Sequence, residues 1–370
     1  MEGRQRHAKW RIAGELPCQG RGRGFEPHRP LQFSKMPPVA ERGIVTETRA
    51  QKQAVIEYAI EFPPPDIARF RDGNTGVPFV HSFEGAQPGP HLLITALVHG
   101  NEPAGAVALD RLLSQQLRPA RGRLTLAFAN VDAYARFDAT TPRASRWLEE
   151  DMNRVWSPDI LGAPPRSADV ARAFALRPFV EQADYLLDLH TMQHPNEPLL
   201  LAGPLARSRE FARMTSLADL VVVDRGHAQG PRMRDYGGFA DPNSAKTALL
   251  IECGQHWAAS SAEVAYAASI RMLERLDMAP RVFERPAVAL PEVPSRFVEI
   301  TMPVTIKHDF VFALPLRGGE IIPRAGTIIG HDGGEPVVTP HDDCFVLMPS
   351  QRLWAGLTAV RLGRLIGSAN

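Results

Sequence analysis

The stretch "LLITALVHGNEPAG", Leu92 to Gly105, decides how the rest of the chain is read. From Leu92 to Val98 it carries a single polar side chain, Thr95. Such an unbroken apolar run suits a strand buried on both faces, as in a parallel sheet. It then stops on His99, Gly100, Asn101 and Glu102, with Pro103 where a helix can begin. An ordinary strand-to-helix turn would account for this. Alternatively, His99 and Glu102 grip a ligand at the strand end, and the remaining sequence must distinguish the two.

The same texture recurs downstream. "RLTLAFAN" (123–130), "ADYLLDLH" (183–190), "ADLVVVD" (218–224) and "TALLIEC" (247–253) read as further strands. Helical spacing follows in "AGAVALDRLLSQQL" (104–117) and in "SADVARAFALRPFVEQ" (167–182), where Pro178 predicts a kink. A third helix, "VAYAASIRMLERL", is preceded by Ser260 and Glu263 at capping-box spacing. This alternation predicts an α/β fold, a mostly parallel or mixed central sheet flanked by helices. After the proline-rich "RPAVALPEVPS" the pattern changes to short β runs with glycines at turn spacing, which predicts a small C-terminal β domain. The expected division is an unstructured tail at 1–45, an α/β domain at 46–285 and the β domain at 286–370. The tail is rich in Arg and Gly, and Met36 is an alternative start.

Composition narrows the partners. With 370 residues and a net charge of +1, the chain exerts no global pull on nucleic acid or an anionic membrane, so a small molecule is the expected partner. Three cysteines are too few for a disulfide framework or a thiolate metal site. No apolar run approaches the roughly 20 residues of a membrane helix, and a secretion signal is not evident. The expectation is a soluble cytoplasmic protein, with assembly into a homo-oligomer left open.

Three apolar runs end on chemistry-bearing residues: His99, His190 and Glu252. In open parallel sheets, ligands bind beyond the carboxyl ends of the strands. His99, Glu102 and His190 together supply three ligands for a tetrahedral zinc ion whose fourth position is open, leaving Glu252 as a base. Asp188, two residues before His190 on the same strand face, is placed to orient that imidazole. Taken alone, the His99-x-x-Glu102 spacing is a weak signal that a decorated turn explains equally well.

The charged stretch "RWLEEDMNRVW" (146–156) lies between these ligands. In order, "HGNEP", an Arg five residues ahead of "DMNR", "DLH" and "ECG" resemble the succinylglutamate desuccinylase/aspartoacylase family, a branch of the zinc carboxypeptidase-like hydrolases. The resemblance spans roughly Pro90 to Trp257. It implies zinc, one ion per chain, bound by His99, Glu102 and His190. It also implies a substrate carboxylate held by Asn153 and Arg154, a scissile carbonyl polarised by Arg146, and Glu252 as general base and acid. The family's "DLNR" appears here with Met152 in place of leucine. The implied C-terminal β domain covers the crevice and narrows access to it.

The expected activity is therefore that of a zinc-dependent amidohydrolase, a deacylase acting on a small N-acylated amino acid. Two alternatives stand beside it: a zinc carboxypeptidase acting on short peptides, and a non-catalytic small-carboxylate-binding protein on the same scaffold. Gln193 and His194 are candidate pocket residues. The loop carrying His227, Arg232, Arg234, Asp235 and Tyr236 reads either as a specificity loop or as a plain surface connection. His256 and Trp257 are expected to pack below the site, and Cys253 to pack as a small apolar residue.

Overall fold

The computed structural model describes residues 56–367. The tail expected at 1–45 and the alternative start at Met36 lie outside the described residues. The first half of the described chain contains β1 (Val80–Glu84), β2 (Gln87–Ala96), α1 (Ala104–Ser114), β3 (Arg121–Phe128), the short α2 (Val131–Tyr134) and α3 (Pro158–Leu161), α4 (Ala168–Gln182) and β4 (Tyr185–Met192). It continues with β5 (Leu199–Ala202), α5 (Ala206–Thr215), β6 (Leu220–Val223), β7 (Thr247–Gln255) and α6 (Ala259–Arg275). Eight strands lie among the elements from there back to β1 and onward to β8 (Arg296–Thr305). The rest is β: β9 (Phe310–Phe312), β10 (Ile321–Ile322), β11 (Ile328–Asp332), β12 (Glu335–Val338), β13 (Cys344–Leu347) and β14 (Thr358–Ile366).

The main sheet has 11 strands in the order β1-β3-β2-β4-β7-β5-β6-β8-β14-β13-β10, and a separate sheet has three, β12-β11-β9. The neighbours β3, β2, β4 and β7 run parallel, whereas β5 is antiparallel to β7. The architecture is thus the expected mixed sheet flanked by helices, with a small C-terminal sheet. Its core follows from strand alternation. On β2, Leu92 and Ile94 face a layer with Leu109 and Leu112 of α1, Phe211 of α5 and Ala265 of α6. Leu93 points the other way, toward Val170, Ala173 and Val180 of α4. A strand buried on both faces has no room for alternating polar residues, and this is why Leu92–Val98 reads as continuous apolar sequence.

Local details depart from the sequence reading in places. β1, β5 and α5 were not anticipated. The Ser260–Glu263 capping box does not form: the residue preceding α6 is Ala258, which makes no side-chain cap. Instead the Ala259 N–H donates to Glu61 Oε2 at 2.9 Å, and Glu263 accepts from Arg111 at 2.9 Å. The acidic group at this helix start comes from a segment nearly 200 residues away, which local spacing cannot reveal. Helix α4 is capped by Ser167, whose Oγ accepts from the Val170 N–H, and it continues past Pro178 to Gln182. Pro178 lies on the exposed side of the helix.

The boundary expected at 286 falls in the connection from α6 to β8. The sheet itself runs through it, because β8 pairs in parallel with β6 from Leu220↔Arg296 to Val223↔Glu299. Among the described residues no helix is long and apolar enough to cross a membrane.

Candidate active site

Strand β2 stops at Ala96, and Leu97 turns the chain with a left-handed φ of 61°. Gly100 sits where a Cβ would lie 2.4 Å from the Ser145 carbonyl oxygen and 2.5 Å from the Tyr134 nitrogen, so no larger residue fits. This tight turn delivers His99 and Glu102 to the end of the sheet. On the adjoining strands, His190 of β4 and Glu252 of β7 are register partners. We expect Gly100→Ala to destabilise the fold by ~1–3 kcal/mol through overpacking. Denaturant unfolding measures this, and an unchanged midpoint would contradict it.

The three predicted ligands converge. His99, Glu102 and His190 are all buried, and they offer ligand atoms that lie within 4.8 Å of one another. Glu102 spans the two rings: Oε1 is 2.8 Å from His99 Nδ1 and Oε2 is 3.0 Å from His190 Nδ1. The opposite ring nitrogens are held by carboxylates, His99 Nε2 by Asp151 at 3.0 Å and His190 Nε2 by Asp188 at 2.9 Å. Asp188 in turn accepts from the Thr95 hydroxyl at 2.7 Å. Thr95, the single polar interruption of the opening stretch, thus serves the site from beneath. Carboxylates on the far nitrogens leave both Nδ1 atoms turned inward, which suits a divalent cation.

Electrostatics follow from this packing. Burial alone would raise Glu102, but the charges of His99 and His190 outweigh it and hold the carboxyl well below its ordinary range. Burial opposes charge on His190, yet Asp188 and Glu102 hold its pKa well above the ordinary value. Two anionic groups therefore surround each inward-facing imidazole, an environment that favours a bound cation. Glu252 behaves oppositely: burial, reinforced by the nearby Glu102 charge, pushes it up to about 8. The residue is half-buried, but its Oε2 is closed to solvent and has no hydrogen-bond partner.

A cleft of about 420 Å³ opens over this group. Arg146 reaches both Glu102 Oε1 at 3.1 Å and Asp151 Oδ2 at 3.3 Å. Asn153 Oδ1 already accepts from the Met233 N–H at 3.0 Å, so its amide nitrogen, 3.3 Å from His190 Nε2, is the group left for a ligand. Arg154 lines the cleft, and its Nε has no partner. Its neighbour in space is Gly230, with a φ of 134° and a position where a Cβ would fall 2.1 Å from the Arg154 carbonyl oxygen.

Other anticipated residues divide. Gln193, His194, His227 and Arg232 line the cleft. Arg234 instead donates to the Asp224 carbonyl at 2.9 Å, and Tyr236 packs on Trp156 and donates to Glu181 at 3.0 Å. His256 lines the cleft and contacts Thr191 Oγ1 at 2.8 Å, so it is not below the site as expected; burial lowers its pKa to about 3 and keeps it neutral. Trp257 is buried and donates to the Asn101 carbonyl at 3.2 Å. Cys253 packs in the main core. Three arginines of the C-terminal region, Arg317, Arg352 and Arg361, also line the cleft and were missed. Arg361 interrupts the apolar "TAVRLG" of β14, a charged residue in a buried run that was a readable signal; Arg352 sits in a loop and carried none.

A mixed sheet carries at its strand ends a buried His-Glu-His group that could hold a metal ion. The family model for the succinylglutamate desuccinylase/aspartoacylase catalytic domain matches residues 88–276, and the chain belongs to this family. Solved structures agree on the fold. A succinylglutamate desuccinylase from Vibrio parahaemolyticus superposes with a TM-score of 0.58 at 16% identity, covering 78% of this chain and 86% of that one. The succinylglutamate desuccinylase of Chromobacterium violaceum gives 0.55 at 21% identity, covering 78% and 89%. An aspartoacylase family protein from Mesorhizobium loti gives 0.53 at 17% identity, with the same coverage of 78% and 89%. A search of the curated proteins finds no significant sequence match.

Proposed function

We propose that the chain is a zinc-dependent deacylase that cleaves the acyl amide of a small N-acylated amino acid. The observation that carries this reading is the convergence of His99, Glu102 and His190 beneath a cleft whose walls hold Arg146, Arg154 and an unpartnered Glu252 oxygen. Membership of the desuccinylase/aspartoacylase family supports it, as does a cleft volume suited to a small molecule.

His99, Glu102 and His190 would hold the ion, with Asp151 and Asp188 fixing the two rings. When bound, zinc supplies Lewis acidity toward water and a carbonyl oxygen. Glu252 takes the proton from the attacking water, since a carboxylate raised toward neutral pH is basic enough to accept it and acidic enough to release it. The same carboxyl then delivers that proton to the departing amine, so no further acid is required. Arg146 meets the negative charge that grows on the carbonyl oxygen. Arg154 receives the amino acid carboxylate in two-pronged fashion, assisted by the Asn153 amide.

The test is metal analysis of the purified protein, followed by amine release from a panel of N-acylated amino acids and short peptides. About one zinc per chain and hydrolysis confined to the acylated amino acids are expected. Faster peptide cleavage would favour a carboxypeptidase, and no zinc with no hydrolysis on adding it would favour a binding protein. Arg154→Lys removes the planar fork while keeping the charge, and we expect kcat/KM to fall about tenfold to a hundredfold. Steady-state kinetics on the best substrate of the panel measures this, and an unchanged value would remove Arg154 from carboxylate binding.

A further inference from the structure

The segment 56–61 lies ahead of the span that the family model matches, and it is fastened at both ends. At one end the Ile56 N–H donates to Gln351 Oε1 at 2.6 Å, and Arg143 donates to the Ile56 carbonyl at 2.5 Å and to Glu57 at 2.7 Å. At the other, the Glu61 N–H donates to the Trp257 carbonyl at 2.9 Å, and Glu61 Oε2 accepts from the Ala259 N–H. Tyr58 lies between these anchors. Its hydroxyl is 2.8 Å from His194 Nδ1, and the two rings stand nearly perpendicular, at 88°.

His194 lines the cleft and Tyr58 does not, so the imidazole is held at Nδ1 from behind the wall. The side chain is buried, yet Nε2 stays open to solvent and has no hydrogen-bond partner among the described residues. The tautomer follows from the donors. Arg317, a group that only donates, reaches the Tyr58 oxygen at 3.4 Å and leaves the phenolic proton to Nδ1. A neutral imidazole that accepts at Nδ1 carries its own proton at Nε2. Burial, with the charges of Arg317 and Arg143, lowers the His194 pKa, so the ring takes no second proton at neutral pH.

We propose that His194 binds substrate and that Tyr58 is its positioning residue, holding the ring in the form whose Nε2–H donates to an oxygen of the bound molecule. An N-acylated amino acid offers such acceptors at its acyl carbonyl and its carboxylate. The cleft is already supplied with guanidinium cations, among them Arg146, Arg154 and Arg317. A neutral donor adds direction to them without adding charge. The orientation of that donor is set by a segment ahead of β1, so recognition in this chain depends on residues that precede its catalytic-domain match. The identity of the bound molecule rests on the deacylase reading above.

Nitrogen-15 NMR of the full-length, zinc-loaded protein reads the tautomer without any turnover, with His194→Gln identifying the signal. The wild-type ring is expected to be bare at Nδ1 and protonated at Nε2, and Tyr58→Phe to shift it toward a mixture of both forms. A wild-type ring protonated at Nδ1, or an unaltered tautomer in Tyr58→Phe, overturns the positioning role. Kinetics on the best substrate of the N-acylated amino acid panel test the contact itself. Tyr58→Phe should raise KM about 3- to 10-fold with a smaller effect on kcat, and His194→Phe at least as much. His194→Gln, whose amide still donates, should recover part of the His194→Phe loss. An unchanged KM in Tyr58→Phe sinks the positioning role, and one in His194→Phe sinks the contact. If no member of the panel is hydrolysed, the deacylase reading falls separately, and titration of the same panel followed at His194 Nε2 decides this proposal. A signal that moves on binding, and moves less in Tyr58→Phe, supports the contact; one that moves for no member overturns it.

Discussion

On the proposed mechanism, Glu252→Gln is expected to lower kcat by about 10²- to 10⁴-fold, the range that a positioned general base contributes, and to leave zinc bound. The amide keeps the size and shape of the carboxylate, so the register of β7 against β4 is undisturbed. What it loses is the ability to accept a proton. Glu252 is suited to that task because its environment gives it nothing else to do. Its Oε2 is closed to solvent and unpartnered, and burial beside the Glu102 charge raises its pKa to about 8. A bound cation lowers that value toward neutrality, where a group both takes and returns protons efficiently. Metal content and single-turnover kinetics check the claim together. A variant that keeps its zinc and full kcat would leave water activation without a carboxylate, whereas one that loses zinc would mean that Glu252 holds the metal.

The second large effect is expected from Glu102→Gln. This carboxylate spans both imidazoles and also receives the Thr191 N–H at 3.0 Å and Arg146. Replacing it with a neutral amide removes the one anion among the three ligand side chains and leaves the Arg146 cation short of a partner. Zinc should then be retained at roughly a tenth or less of the wild-type occupancy, with activity falling in proportion. Thermal unfolding gives an independent measure. At a free zinc concentration 100 times its dissociation constant, wild-type protein gains about 2.7 kcal/mol from binding, and Glu102→Gln should gain close to none. Equal stabilisation of both proteins would mean that zinc binds elsewhere.

Much of this was legible in the chain itself, and for identifiable reasons. The apolar run from Leu92 to Val98 announces a strand covered on both faces, and His99, His190 and Glu252 mark where such strands run out. Strand ends in one sheet are neighbours in space, so residues far apart in sequence meet without any long-range information being needed. Asp188 was legible by the same logic, through the two-residue repeat of a strand. What stayed hidden depends on chain segments meeting from different parts of the fold. Asp151 was read as part of a substrate motif, and its contact with His99 Nε2 appears only once the two loops are packed. Glu61 caps α6 across a separation no spacing rule covers. Arg352 belongs to a loop whose approach to Trp147 is set by β13, β14 and the anchoring of Gln351. The short β5 escaped notice because Leu199–Ala202 carries none of the β-branched residues that marked Leu220–Val223 as a strand.

The pairing of β6 with β8 bears on how substrate enters. Four residue pairs, Leu220↔Arg296 to Val223↔Glu299, bind the C-terminal strands edge to edge onto the central sheet, and β14, which carries Arg361, is laddered onto β8 in turn. A lobe attached by a linker can rock open about a hinge. One stitched in by backbone hydrogen bonds cannot do so without tearing the sheet. Turnover here should accordingly proceed without a gate of that kind, and selection by size should come from a standing aperture whose rim is already in place before any substrate arrives.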